Sequence, residues 1–473
     1  MNAASAPVPP PEPPGIRPGS AGSFRWTICG LLFFSVAVNY IDRLTIGILK
    51  GPLSEKLGWS EIDYGYITAA FQFAYAFGYL FGGRLMDRFG VKRGLPLFVL
   101  AWSAAAMAHG FCGLIGVDEQ FRLHYPWFSW TEKGFVWMTL AMPMTAAGFA
   151  FARIALGLSE GGNFPGAIKV VAEWFPVKER ALATGWFNSG TNVGAVLCPL
   201  VVKWMFDHFG WQMTFYATGA TGFAWVVAWW LLYDSPEKHR RVSPAELAYI
   251  QADQPAVKEK PAKVPWLSLL GWRPVWAYLI ASALASPAWS FYQSYVPDFL
   301  KKGFGLNLAA TAWWTSAFFI IAAIGGVAGG WLASRLIGRG WSLNAARKTT
   351  LMLCALAVVP VFLAPSAKHV WLAVLIVGLA GSAHQGWSAN LFSFVSDTMP
   401  RETISSVVGL GGFLTYFTGG IVSGITGHIV QRTGTYVWVF AYFSGMYVLS
   451  MVALQLLVPQ IAPRKLVGSA SSV

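Results

Sequence analysis

The sequence predicts an all-α membrane protein of twelve transmembrane helices, arranged as two six-helix halves related by a pseudo-two-fold axis. Three observations carry that prediction. First, 55% of the 473 residues are hydrophobic and only 12% are charged, about half the charged share of a soluble domain. Second, about twelve apolar runs have the length of a spanning helix, which needs roughly 20 such residues. Third, one long polar stretch divides six runs from six, and short motifs recur on either side of it. Twenty-four Trp, 34 Phe and 50 Gly fit the same class. Aromatic rings gather at membrane interfaces, and small residues let membrane helices pack closely.

The spans read as 27–49, 64–86, 94–115, 139–173, 180–204, 212–233, 274–299, 309–334, 348–367, 369–396, 403–430 and 435–459. The fourth is too long for one pass, so part of it should project outside or bend at Pro165. Residues 1–24 are rich in Pro, Ala and Ser without an apolar core, which predicts a disordered cytoplasmic tail and not a cleaved signal. The N-terminal half then covers 25–233, a cytoplasmic linker 234–272, the C-terminal half 273–460 and a second tail 461–473. Residues 116–138 form a long loop with Tyr125, Pro126, Trp127 and Trp130. It is expected to lie at the outer interface or to hold a short helix.

The formal charge of +13 would point to nucleic acid in a soluble protein. Here position decides. Basic residues crowd alternate loops: Arg84, Arg88, Lys92 and Arg93; Lys178 and Arg180; Lys238, Arg240, Arg241, Lys258, Lys260 and Lys263; Arg335, Arg339, Arg347 and Lys348; Arg464 and Lys465. The opposite loops mix fewer bases with acids. The positive-inside rule therefore places both termini in the cytoplasm of an inner-membrane protein. No contiguous basic helix supports a nucleic-acid partner. Cys29, Cys112, Cys198 and Cys354 each fall inside a span and read as small core residues, not as disulfides or metal ligands.

Two repeat traces support homologous halves. Gly83-Arg-Leu-Met-Asp-Arg88 recurs as Gly330-Trp-Leu-Ala-Ser-Arg335. Pro176, Gly185 and Gly210 recur at one offset as Pro400, Gly409 and Gly434. A substrate site is then expected near the midplane between the halves.

Charges inside the spans are the candidate chemistry. Each costs roughly 2.5–3.5 kcal/mol on insertion scales, so it should be paired or face a wet cavity. On span one, Asn39, Asp42 and Arg43 share a helical face. On span four, Arg153 and Glu160 lie two turns apart, roughly 10 Å along the axis, with Gly157 between them leaving room for another group. A guanidinium at Arg43 suits a carboxylate fork. Asp42 and Glu160 could exchange protons, since burial disfavours an anion. Arg153 is expected to hold Glu160 ionised and so oppose protonation. The alternative is a pair of structural ion pairs that only fix packing. Lys169 and Glu173, i and i+4, should form a packing pair, and Asp298 and Asp397 should meet water at helix ends.

The segment from Gly83 through Asp87, Arg88 and Gly90 to Arg93 resembles the signature between the second and third helices of the major facilitator superfamily. There Gly83 would allow close helix approach, Gly90 a tight turn, and the loop would act as a gate latch. Asn39-Tyr-Ile-Asp-Arg43, Arg153 to Glu160, Asn163-Phe-Pro165 and Glu173-Trp-Phe-Pro176 resemble the anion:cation symporter branch. Ser286-Pro-Ala-Trp289-Ser-Phe-Tyr292 and Gly381-Ser-Ala-His384-Gln385-Gly-Trp387-Ser-Ala-Asn390 are similar to its hexuronate transporter group.

That resemblance implies proton-linked acids at Asp42 and Glu160, with Arg153 beside them, and a substrate-carboxylate arginine at Arg43. It also implies cavity positions at Tyr40, Tyr75 and Asn390. Asn39, Tyr292, Gln293, His384, Gln385 and Trp387 offer the amide, phenol, imidazole and indole groups that a polyhydroxy acid needs. The expected function is proton-coupled import of a small organic anion, first a hexuronate or aldonate. An aromatic acid, or efflux of hydrophobic compounds on the same fold, are the alternatives. The expected partners are that anion and the bilayer, with the chain acting as a monomer. No cofactor is expected beyond protons as coupling ion. No phosphate-binding Gly-Lys-Ser/Thr loop, metal-spaced His/Cys cluster or His-Glu-x-x-His motif is present to build an enzyme.

Overall fold

A computed structural model describes residues 22–116, 118–129, 134–252 and 266–462. The expected outer parts of both tails, and Trp130, Lys258, Lys260, Lys263, Arg464 and Lys465, lie outside these. So do the side chains of Arg84, Asp87 and Trp127.

Helices α1 (Phe24–Leu57), α2 (Glu61–Phe89) and α3 (Val91–Phe111) make three passes. A hairpin of β1 (Gln120–Ser129) and β2 (Gly134–Pro143) follows, antiparallel and in continuous register from Gln120–Pro143 to Ser129–Gly134. The long loop therefore holds a hairpin and no helix. β-Propensity explains it: Phe121, Leu123 and Tyr125 face Met142, Leu140 and Met138 across the strands. Because β2 runs to Pro143, the fourth span begins at Met144 and not at 139.

That span is broken into α4 (Met144–Glu160) and α5 (Asn163–Trp174). The bend falls at Gly161–Gly162, one turn before Pro165, which sits in the first turn of α5. Pro165 lacks the N–H that would bond the Gly161 carbonyl, so the break lands four residues upstream of it. α6 (Val177–Leu232) is two passes folded at Gly210, whose φ of 79° only glycine takes cheaply. The linker contributes α7 (Pro244–Gln251) and the short α8 (Trp266–Leu269). α7 is tied to the first half: Tyr249 donates to Glu179 at 2.7 Å, and the Arg25 side chain pairs with Glu179 at 3.0 Å and Glu246 at 3.4 Å.

The second half repeats the plan with α9 (Arg273–Ala285), α10 (Pro287–Phe304), α11 (Leu308–Gly338), α12 (Leu343–Val358), α13 (Val370–Thr398), α14 (Arg401–Thr433) and α15 (Val437–Leu457). A 3₁₀ segment over Val359–Ser366 extends α12. Eight helical stretches among the described residues are long and apolar enough to cross a membrane. One of them is the double pass of α6. The broken pairs α4–α5 and α9–α10, and the charge-bearing α2, supply the other passes, giving twelve. The two ends of the described chain, Gly22 and Ala462, thus lie at one face of the bundle, called here the termini face; the hairpin lies at the opposite face.

The repeat seen in sequence has a structural counterpart. Pro176 and Pro400 are both N-caps with nearly the same backbone, φ −60° and −58°. Gly210 and Gly434 both take positive φ at the far end of the helix that follows. Gly185 and Gly409 both face open space.

Close helix contact is set by glycines other than the expected Gly83, which has only Pro165 within reach at 3.9 Å. A Cβ on Gly78 would stand 2.5 Å from the Leu158 carbonyl oxygen, and one on Gly161 2.3 Å from the Gly78 carbonyl carbon. At Gly157 it would stand 2.6 Å from the Phe71 carbonyl oxygen, so the room left at Gly157 is filled by the backbone of α2. Backbone cannot yield as a side-chain tip can. Gly157→Val should therefore destabilise the first half by about 1–3 kcal/mol, read as a lower melting temperature in detergent. Gly83→Ala should leave that temperature unchanged.

Candidate functional site: a buried arginine beside an inter-half cavity

Arg43 lies in the middle of α1 and is 8% exposed. Its Nε and Nη2 donate to one oxygen of Glu160 at 3.0 and 2.9 Å, and Nη2 reaches Asn39 Oδ1 at 3.3 Å. Three rings enclose the guanidinium: Tyr75 at 4.5 Å, Tyr40 at 5.0 Å and Phe71 at 5.4 Å. Such rings stabilise a cation partly removed from water. Glu160 is fully buried at the α4 terminus, and its second oxygen has no hydrogen-bond partner.

The expected pairing within α4 is not found. Arg153 donates to the Arg43 carbonyl at 3.2 Å and stacks over Phe71 at 5.5 Å, while Arg43 takes the carboxylate of Glu160. The seven-residue separation leaves Arg153 one full step from Glu160, and α1 brings a guanidinium directly to it. Asp42 is 3% exposed with neither carboxyl oxygen hydrogen-bonded.

Across from Arg43 lies a cavity of about 220 Å³ between the halves. Tyr40 and Tyr79 line it from the first half; Ser286, Trp289, His384, Gln385, Ser388 and Tyr416 are among its residues from the second. Tyr75 joins the arginine cluster to this wall by packing on Tyr416 at 4.2 Å. The wall includes Ser286, where Pro287 interrupts the seventh pass. A broken helix exposes backbone and short polar side chains at membrane depth, which is tolerated only beside a cavity.

Of the residues expected from sequence, the structure brings together Asn39, Tyr40, Asp42, Arg43, Tyr75, Arg153 and Glu160, and places His384 and Gln385 in the cavity wall. Gln293 is buried on α10 with its amide nitrogen unpartnered. Three others point away. Tyr292 is buried among Phe291, Phe318 and Phe443. Trp387 packs edge-on against Tyr447 within the second half. Asn390 spends its amide on the Gly329 and Gly386 carbonyls at 3.1 and 2.9 Å and receives Arg347 at 3.4 Å. Their polar character marked them, but their helical phase turns them into the α11–α13–α15 core. Tyr79, Tyr278, Ser282 and Tyr416 line the cavity and carried no sequence signal, since aromatic and small residues abound here.

At the face opposite the termini, the halves are locked. Lys50 is 1% exposed and reaches Glu61 and Asp298 at 2.6 Å each and Tyr436 at 3.2 Å. Tyr436 also donates to Asp298; Lys302 pairs with Glu61 and, at 3.2 Å, with Asp298. Asp298 is thus not at water, and Asp397 is also paired, with Arg347 at 2.8 Å. The hydroxyl of Tyr295 donates to the Ser423 carbonyl at 3.1 Å, and that of Tyr64 to the Ser294 carbonyl at 2.8 Å. At the termini face no ion pair joins the halves among the described residues. Gly90 makes the expected turn there with φ 71°, and Arg88 and Arg93 are exposed. Lys92 pairs with Asp234 at 2.9 Å, and that hydrogen bond holds the Asp234 carboxyl below its ordinary range. Lys169 donates to the Met86 carbonyl at 3.3 Å, and Glu173 accepts from Tyr233 at 2.9 Å.

The model of the Major Facilitator Superfamily matches residues 32–424. The chain belongs to the Major Facilitator Superfamily. Among its curated relatives in that superfamily, the hexuronate transporter of Escherichia coli K12 is 28% identical over 414 residues, covering 87% of this chain and 88% of the relative. The probable galactarate/D-glucarate transporter GudP of Bacillus subtilis is 31% identical over 432 residues, covering 88% of each. The inward-open xylose transporter XylE from E. coli superposes with a TM-score of 0.69 at 13% identity, over 94% of this chain and 98% of that one. The mostly helical, two-half architecture is therefore the superfamily's fold, and the buried arginine lies between the inter-half cavity and α4.

Proposed function

We propose that this protein imports a sugar acid, a hexuronate or aldonate, together with protons by alternating access. One observation carries the reading: the buried Arg43 guanidinium, caged by tyrosines next to the inter-half cavity, is held by a single carboxylate that can itself take a proton. A substrate carboxylate and Glu160 are chemically equivalent ligands for Arg43. Protonation of Glu160 removes its charge, frees the guanidinium fork and lets the substrate replace it. Loss of the proton reverses the exchange and expels the substrate.

Asp42, buried with neither carboxyl oxygen hydrogen-bonded, offers a second position for a proton. Hydroxyls and the Gln385 amide along the cavity suit the sugar's hydroxyl groups. The named substrates of the curated relatives, hexuronate and galactarate/glucarate, point to the same chemical class. The basic residues gathered at the termini face support a cytoplasmic position for that face. On that reading the lock around Lys50 closes the periplasmic side.

Uptake of labelled glucuronate and galacturonate into proteoliposomes tests the reading. Wild type should accumulate one or both only with an inward proton gradient. Arg43→Ala should lower uptake at least a hundredfold, since a charged hydrogen-bonded anchor is lost. If folded wild type accumulates neither, the sugar-acid assignment fails, and aromatic acids become the next panel.

A further inference from the structure

Trp289 stands in the first turn after the Ser286–Pro287 break, half-buried in the cavity wall. Its ring lies parallel to His384, within 3° and 5.4 Å between centroids. The imidazole is itself fixed at both nitrogens, by the Tyr447 hydroxyl at 2.6 Å and the Ser388 hydroxyl at 3.3 Å. Phe319 meets Trp289 edge-on at 6.2 Å. Rings from α10 and α13 are thus held as one plate. Tyr40 shares the wall with this plate, and its own ring is 5.0 Å from the Arg43 guanidinium.

We infer that the Trp289–His384 plate is the rest for a pyranose ring, so that the carrier selects cyclic hexuronates over open-chain aldonates and aldarates. This rests on the sugar-acid reading above and deepens it. A pyranuronate is a rigid body with an apolar face of C–H groups and a carboxylate borne directly on the ring. Aromatic faces are electron-rich and attract such C–H groups. Arg43 can hold the carboxylate while the plate holds the face. An open-chain acid carries the same carboxylate and hydroxyls but has no such face. It must also freeze several C–C torsions to lie in the cavity, which weakens binding. Trp289 touches the sugar in this account; His384 also lines the wall, and Tyr447 is a positioning residue that fixes the His384 plane.

The test is competition against labelled galacturonate uptake in proteoliposomes. Unlabelled galacturonate should compete at least tenfold better than galactonate or galactarate in wild type. Trp289→Leu should raise the galacturonate KM about tenfold with kcat little changed, and leave galactonate competition as it was. Trp289→Phe should recover part of the loss. Tyr447→Phe should raise the KM for the cyclic acid alone. Equal competition by galactonate in wild type would overturn the inference, and that arm needs no variant to fold. So would a Trp289→Leu protein weakened equally toward cyclic and open-chain acids. If wild type carries galactonate but not galacturonate, the plate assignment falls while the sugar-acid reading stands; uptake of neither defeats both.

Discussion

Glu160→Gln should abolish gradient-driven accumulation while leaving exchange of internal for external substrate intact. The amide keeps the shape of the carboxyl but cannot carry charge or exchange a proton. Arg43 then loses the competitor that now holds it at 2.9 Å and stays open to the substrate. Removing one member of a buried ion pair usually costs about 3–5 kcal/mol because the other charge is left alone. Here the substrate carboxylate supplies the missing partner, so the loaded protein should be more stable than the empty one by a wide margin. Uptake driven by a pH gradient should fall at least a hundredfold, and counterflow should stay within a few-fold of wild type. Both failing together would mean that Glu160 only supports packing.

The second large effect is conformational. Asp298→Asn removes one of the two acids shared by Lys50 and Lys302 at the face opposite the termini. Lys50 would keep Glu61 and the Tyr436 hydroxyl, with its ammonium still 4.8 Å from the Tyr64 ring. Weakened charged hydrogen bonds worth about 1.5–3 kcal/mol lower the closed form roughly ten- to a hundredfold in population relative to the open one. Spin labels at Lys56→Cys and Thr433→Cys, in a background lacking the native cysteines, report the separation across that face. The short-distance population should dominate with Asp298 present and shrink with Asn. An unchanged distance distribution would show that helix packing, and not this charge network, closes the face.

The fold was largely legible because it rests on patterns that a bilayer enforces. Apolar length marks a pass wherever the helix is continuous. It blurs where a helix is interrupted: the break in the fourth pass was sought at Pro165 but falls a turn earlier, where the missing N–H is felt. The fixed-offset pairs Pro176/Pro400 and Gly210/Gly434 are reliable because each answers a backbone demand, an N-cap or a positive φ, that both halves share; Gly185 and Gly409 answer none. The hairpin is hidden in the sequence because β2, Gly134–Pro143, is almost wholly apolar and reads on into the fourth span.

Within the site, the charged residues were legible because an intramembrane charge has few alternatives. Their pairing was not. Arg153 and Glu160 share a helix face, yet only the packing of α1 against α4 reveals that Arg43 is the guanidinium in contact. Asn390, whose amide bonds the Gly329 and Gly386 carbonyls, shows the other outcome. A polar side chain in a span can face a cavity or satisfy a neighbouring helix, and one turn of phase decides. Lys50 lies just past the end of span one as apolar length sets it, so the sequence does not mark it as an intramembrane charge, although it is among the most buried charges described.

In the proposed cycle, Glu160 and the substrate carboxylate compete for Arg43. Calorimetric titration of galacturonate into purified wild type, repeated in buffers of different ionisation enthalpy, counts the protons that accompany binding. About one proton should be taken up per bound hexuronate at neutral pH, as the displaced Glu160 carboxylate is neutralised. Tight binding with no proton uptake would contradict it, because Arg43 would then hold the substrate without releasing Glu160.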